Sequence, residues 1–249
     1  MQDNIIIPMK TTILLLGALG LLTPVFAAEP STAQSTGSHF KIIQTVPAGY
    51  PVRMANEGVS HGLAKAVLHV NAKGQLVDFL VVAYTNHAFA EETERVVRQW
   101  KFEPEYADGE PIDTIMTITF NYEMNGVMVV QRYGGFNPFN DYVGGADYQA
   151  CSLKNLDSIP TPVSVVPPVY YKDLADKGIA GKVVVDFYID ETGKTRFVAT
   201  PSGSNEMLAG ISVAAVEKWQ FAPPTRKGKP VLVHAQQIFD FRKENATAN

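Results

Sequence analysis

The chain has 249 residues, 46% hydrophobic and 18% charged, which excludes a largely disordered polypeptide and leaves room for one large domain or two small ones. A formal net charge of −4, with no basic cluster beyond Arg226, Lys227 and Lys229, argues against nucleic acid as a partner. The single cysteine, Cys151, cannot form a disulfide within the chain.

Taken from the N-terminus, Lys10 precedes an apolar run from Ile13 to Leu22, and Val25-Phe26-Ala27 closes it with a small-x-small end. That order predicts a secretory signal peptide over residues 1–27, because the apolar run is too short to cross a bilayer comfortably. The expected destination is a bacterial periplasm, with an inner-membrane anchor as the alternative if the signal stays uncleaved. Residues 28–45 open small and polar ("AEPSTAQSTGSH") and read as a flexible leader.

From there the chain repeats. Trp100 recurs as Trp219, an offset of 119 residues, and the same offset carries Gly62 to Gly181, Gly74 to Gly193 and Phe102 to Phe221. It also carries Pro104 to Pro223, Gly109 to Gly228 and Pro111 to Pro230; with one residue removed, Gly58 meets Gly178 and Tyr50 meets Tyr170. An offset held on Trp, Gly and Pro over some sixty positions indicates a duplicated module. The predicted copies span 46–132 and 161–243, with a linker at 133–160 and a tail at 244–249.

Each copy reads the same way. A short helix over Tyr50–Glu57 or Tyr170–Lys177 comes first. In the second copy Val183, Val185, Phe187 and Ile189 then alternate, the period of a strand with one buried face. A turn at Gly193 leads to a second strand near Thr195–Thr200; the first copy shows Ala64, Ala66, Leu68 and Val70, a turn at Gly74, then Leu76–Ala83. Asn86 and Asn205 stand where helix caps belong. Behind them Phe89, Thr93, Val96, Val97 and Trp100, and Leu208, Ser212, Ala215, Val216 and Trp219, form apolar stripes that end at Pro104 and Pro223. A Gly-x-Pro turn opens a third strand, Ile112–Tyr122 or Val231–Phe241. The expected fold class is α+β: two tandem modules, each a three-stranded antiparallel sheet with helices packed on one face. Asn125-Gly126 predicts a hairpin that folds Val127–Gln131 back onto the third strand of the first copy and covers its edge. Residues 133–148 are rich in Gly and aromatics.

These motifs carry a resemblance. "YYKDLADKGIAG", "KVVVDFYIDETGK", "KWQFAP" and "GKPV" in the second copy resemble the C-terminal domain of TonB-type proteins, and "YPVRMANEGVSHG", "QWKFEP" and "GEPI" resemble it more loosely in the first. The resemblance implies a binding module in which the last strand pairs with a short extended peptide from an outer-membrane transporter, by strand addition at a sheet edge. On this chain that places the partner strand along Val231, Leu232, Val233, His234, Ala235, Gln236 and Gln237. Gly62, Gly74, Trp100, Phe102, Pro104, Gly109 and Pro111, with Gly178, Gly181, Gly193, Trp219, Phe221, Pro223, Gly228 and Pro230, are then structural motif residues. The apolar run contains no His, no long Pro-rich spacer follows it, and position 171 is Tyr where the family usually has Pro. The reading is therefore an exported adaptor with a protein partner, a TonB-dependent transporter or an envelope motor subunit. The alternatives are a homodimeric envelope scaffold, and a ligand-binding protein that uses the Gly/aromatic linker.

Catalytic readings find no support in the sequence. His39, His61, His69, His87 and His234 show no metal-ligand spacing, and no cofactor is implied. His69 and His234 are expected on solvated strand faces. Ser202 in "PSGS" lacks the flanks of a nucleophile elbow. Core packing is the expected role of both tryptophans.

Overall fold

Alternation, turn, capped helix and long return strand dictate the same unit twice, and each half of the chain builds it. The computed structural model describes residues 41–132, 143–201 and 203–247; the predicted signal peptide, most of the leader, residues 133–142 of the linker and Ser202 lie outside the described residues. Module one runs β1 (Lys41–Gln44), α1 (Val52–Asn56), β2 (His61–Val70), β3 (Leu76–Tyr84), α2 (His87–Val97), β4 (Lys101–Glu103), β5 (Glu105–Ala107), β6 (Glu110–Ile112), β7 (Thr114–Glu123) and β8 (Gly126–Arg132). The linker contributes β9 (Tyr148–Gln149). Module two runs β10 (Pro162–Ser164), α3 (Lys172–Asp176), β11 (Gly181–Ile189), β12 (Thr195–Ala199), α4 (Glu206–Val216), β13 (Gln220–Phe221), β14 (Thr225–Arg226), β15 (Lys229–Pro230) and β16 (Val233–Phe241).

The sheet of module two has three strands in the order β12-β11-β16, all antiparallel. That of module one departs from the expected three and has five, β8-β7-β2-β3-β9. Asn125-Gly126 does turn the chain back, so β8 pairs with β7 from Glu123↔Gly126 to Thr117↔Arg132. The fifth strand, β9, comes from the linker and lies on the opposite edge, against Ala83 and Tyr84.

Local chemistry explains the shared features. The Asn86 side chain accepts from Ala88 N–H at 3.0 Å, and Asn205 accepts from Leu208 N–H at 3.2 Å, so each caps its helix. The helices end at Val97 and Val216, earlier than expected, and Pro104 and Pro223 are not what stops them. A tight turn intervenes, in which Trp100 N–H donates to Val97 C=O and Trp219 N–H to Val216 C=O, both at 3.0 Å. This swings each indole off the helix and under the sheet. There Trp100 Nε1 donates to Val46 C=O (3.1 Å) and Trp219 Nε1 to Val166 C=O (2.8 Å). Strands β4 and β13 follow at once, pairing with β1 and β10; β1 lies within the stretch read as leader.

Both cores sit between a sheet and its helices. Ala64, Ala66, Leu68, Phe89, Trp100, Ile118, Phe120 and Tyr122 fill the first; Val185, Phe187, Ile189, Leu208, Trp219, Phe221, Val233 and Phe239 fill the second. The helix-free sheet faces are not left to water. Val67 and Val82 of module one meet Tyr188, Phe197 and Leu232 of module two in a third buried cluster. Arg196 clamps its margin, with Nε 2.9 Å from Asp78 Oδ2, a second hydrogen bond from Nη2 to Oδ1, and a third from Nη2 to Phe79 C=O. The fork geometry and partial burial of this pair put its worth above that of an exposed ion pair. A double-mutant cycle on Asp78 and Arg196, read by urea denaturation, is expected to return a coupling of about 1–2 kcal/mol.

Candidate partner-strand interface

Strand β16 is paired on one side only. Its inner side meets β11 in unbroken antiparallel register from Gly181↔Phe241 to Ile189↔Val233. The outer side begins with a rung supplied by the linker: Cys151 N–H donates to Leu232 C=O (2.8 Å) and His234 N–H donates to Cys151 C=O (3.1 Å). Residues 232 and 234 therefore direct their backbone groups outward. By the period-2 alternation of an antiparallel ladder, Gln236, Ile238 and Asp240 do the same. Among the described residues no strand joins this edge beyond the Cys151 rung. Side-chain amides meet its carbonyls instead: Gln237 Nε2 donates to Ile238 C=O (2.9 Å) and Asn245 Nδ2 to Asp240 C=O (3.2 Å).

The structure distributes the seven predicted partner-strand residues among several jobs. Val231, half-buried, precedes the strand and donates its N–H to Pro224 C=O (3.0 Å). Leu232 is buried between the modules, while Val233 and Ala235 lie in the core of module two. Gln236 is buried and its Nε2 donates to Asp186 Oδ1 (2.9 Å); Gln237 is buried as well. His234 corrects the expectation of a solvated face. Its side chain is 11% exposed, its Nε2 lies 3.3 Å from Asp186 Oδ1, and its ring meets Tyr188 edge-on. The reason is that this sheet face is covered by the other module. His69, on module one, is partly exposed and pairs with Asp113 at 2.9 Å.

Beyond the Cys151 rung, the outward-facing backbone that has no strand partner among the described residues runs from Gln236 to Asp240, past the predicted segment. Ile238 is 36% exposed. Ile238, Asp240 and Asn245 lie along this edge outside the seven residues named from the sequence. By the offset of 119, the β7 residues that β8 covers in the first copy correspond to a run of β16 that includes Ile238 and Asp240.

The linker does more than connect. After β9, Ala150 N–H donates to Val82 C=O of module one (2.8 Å), and Cys151 then reaches β16 of module two. Tyr148 stacks on Tyr84 and donates its hydroxyl to Glu191 of module two at 2.7 Å. Burial, and next the bond to Glu191, push its phenol well above the usual range. Buried Cys151 is here a strand rung.

The motif residues hold the framework. Both tryptophans are buried, as core packing requires. Gly62 lies in β2 beneath the Phe89 ring, which a Cβ would strike. Gly74 and Gly193 adopt left-handed φ and press against the carbonyls of Phe102 and Phe221. Gly178 follows α3 and Gly181 opens β11; Pro104 and Pro223 follow β4 and β13. Gly109 and Pro111, and Gly228 and Pro230, form the β5–β6 and β14–β15 hairpins. Asp157 accepts from the Lys227 and Gly228 N–H groups of the second hairpin, which hold its carboxyl below the usual range. No group of three His, Cys, Asp or Glu side chains is placed to hold a metal among the described residues.

The solution NMR structure of the Pseudomonas aeruginosa TonB C-terminal domain matches at 31% identity over 39% of this chain and 97% of that one, with a TM-score of 0.32. None of the curated proteins compared with the chain matches it. Residues 47–124 and 166–242 each match the family described as Gram-negative bacterial TonB protein C-terminal, whose domains are non-catalytic modules of protein interaction. The chain belongs to the TonB C-terminal domain family and carries that domain twice in tandem.

Proposed function

We propose that this protein is an exported periplasmic adaptor whose second module takes up an extended segment of a TonB-dependent outer-membrane transporter by strand addition at β16. One observation carries the reading. The outward backbone groups of Gln236, Ile238 and Asp240 have no strand partner among the described residues, whereas the matching edge of β7 in module one is covered by β8. An edge of this kind offers a row of donors and acceptors that an extended peptide satisfies. Export follows from the signal-like residues 1–27, and no helix among the described residues is long and apolar enough to cross a membrane.

The test substitutes Ile238 with Pro. Its N–H points outward, so Pro removes a donor from the binding edge and none from the ladder to β11. Partner capture, followed by in-cell cross-linking and mass spectrometry, is expected to fall at least about tenfold while the melting temperature stays within a few degrees. Unchanged capture would move the interface elsewhere. The equivalent Pro at Val233 cannot make this test, because Val233 is fully buried and its backbone pairs with Ile189. Cross-links from β16 only to a second copy, with sedimentation that rises with concentration, would assign the edge to a homodimer instead.

A further inference from the structure

The two modules carry the same helix with different outer faces. By the offset of 119, α2 (His87–Val97) and α4 (Glu206–Val216) match residue for residue. On α2 the side turned from the sheet is charged: Arg95 pairs with Glu92 at 2.7 Å and Arg98 with Glu94 at 2.6 Å. At the positions of Glu91, Glu92, Glu94 and Arg95, α4 has Gly210, Ile211, Val213 and Ala214. No charged residue stands between Glu206 and Glu217. A helix without charge on any side is ordinarily covered on all of them. Yet α4 is covered on one. Leu208, Ser212, Ala215 and Val216 are buried, whereas Gly210 and Ala214 are exposed and Met207 is 51% exposed.

Two further observations belong to this surface. Gly210 sits in mid-helix, where glycine is among the poorest choices. Its φ is not left-handed, and a Cβ added there would meet nothing within 4 Å, so neither backbone nor neighbours among the described residues require a glycine. In module one, α1 and α2 flank a hollow lined by Pro51, Ala88, Glu91, Glu92 and Arg95. In module two Tyr171 and Met207 replace Pro51 and Ala88, and Tyr171 is 46% exposed, so the apolar surface widens toward α3.

We infer that α4 is the contact between two copies of this chain, packed helix on helix in parallel across a two-fold axis, with Gly210 of each copy at the closest approach. Gly210 and Ala214 carry little side chain, so two helix axes can approach closely there, and Met207 and Ile211 flank the groove they leave. Charge decides the direction. By the helical period, Glu206, Gly210 and Glu217 lie on one side of the exposed face, and Met207, Ala214 and Lys218 on the other. A parallel two-fold sets one side against the other at equal height, so Glu217 of each copy meets Lys218 of the other. An antiparallel two-fold sets like sides together and brings Glu206 beside Glu217 of the other copy, twice. A helix face of about three turns makes a small interface, so the association is weak and reversible. None of these residues belongs to the β16 edge.

Sedimentation equilibrium of the full chain, from micromolar to millimolar concentration, is expected to show a mass that rises toward twice that of the monomer. Gly210→Glu with Ala214→Arg gives α4 the charges of α2. It should weaken association at least about tenfold and leave the melting temperature within a few degrees, since both positions are exposed. Glu217→Lys should weaken association at least about threefold. Adding Lys218→Glu should bring it back to within about twofold of the native value, because the exchanged charges still meet. Ile238→Pro should leave association unchanged. A monomer at every concentration would overturn the inference, as would association that Gly210→Glu with Ala214→Arg leaves intact. So would association that Glu217→Lys leaves unchanged, or strengthens as an antiparallel pairing requires. Loss of association in Ile238→Pro would also overturn it, by placing the contact at the β16 edge.

Discussion

Trp219→Ala is expected to lower the unfolding free energy by about 3–5 kcal/mol, the loss typical of a large buried aromatic. The indole is 3% exposed and meets Phe187, Phe221 and Phe239 edge-on at 5.9–6.2 Å between centroids. Its removal leaves a cavity at the centre of module two, because the sheet above and α4 below cannot both close on the gap. It also removes the donor to Val166 C=O, which ties the segment leading into α3 to the core. Trp219→Phe keeps most of the packing and loses that bond, so it should cost about 1–2 kcal/mol. Urea denaturation followed by circular dichroism measures both. The experiment has a second readout, since Trp100 is then the sole tryptophan and its fluorescence reports module one. The modules share the Val67, Val82, Tyr188, Phe197 and Leu232 cluster and the Asp78–Arg196 clamp. The Trp100 midpoint should therefore fall together with the circular dichroism midpoint; a Trp100 transition left unmoved would mean that the two modules unfold independently.

Much of this architecture is legible in the sequence because it rests on local rules. Alternation of Val183, Val185, Phe187 and Ile189 reports one buried sheet face, and all four are buried. Asn86 and Asn205 cap their helices, and Asn125-Gly126 turns the hairpin that covers β7. What the sequence hides depends on distant pairing. The helix-free sheet faces carry Lys65, His69, Asp186 and His234 among Val67, Tyr188 and Leu232. A face so mixed reads as solvated, and nothing local shows that a second sheet covers it. For the same reason His234 was expected in water and lies beside Asp186. The candidate edge was legible as a strand, but its accessible rungs were not. Cys151 occupies the first rung by a contact 82 residues away in sequence, between Cys151 and Val233, and no motif announces it. The early ends of α2 and α4 were hidden too, because they follow from where each indole nitrogen finds its carbonyl and not from the prolines further on.

Gly193→Ala should be among the most damaging single-methyl additions to this chain, and it tests why the motif glycines recur. Gly193 ends the β11–β12 turn at φ +87°, and an added Cβ would lie 1.9 Å from the Phe221 carbonyl oxygen. The approach is enforced rather than incidental, because Phe221 N–H donates to Gly193 C=O at 2.8 Å and so locks the turn onto β13. Left-handed strain alone costs an Ala about 1–2 kcal/mol. Relieving the clash must also break or displace that bond, and with it the seat of Phe221 against Phe187 and Trp219. A total of about 3 kcal/mol or more is expected, a large share of the stability typical of a small domain. Gly74, its counterpart, would bring a Cβ to 2.6 Å from the Phe102 carbonyl oxygen, a milder clash in the same geometry. Gly178 is the control: at φ +74° an added Cβ there has no neighbour within 4 Å, so Gly178→Ala should show the backbone strain alone, about 1 kcal/mol. Thermal denaturation of the three variants should rank them Gly193, Gly74, Gly178 in decreasing loss. Equal losses would mean that left-handed φ alone accounts for these glycines; the predicted spread would mean that the Gly of the turn and the Phe of Trp-x-Phe-x-Pro recur together because one must pack on the carbonyl of the other.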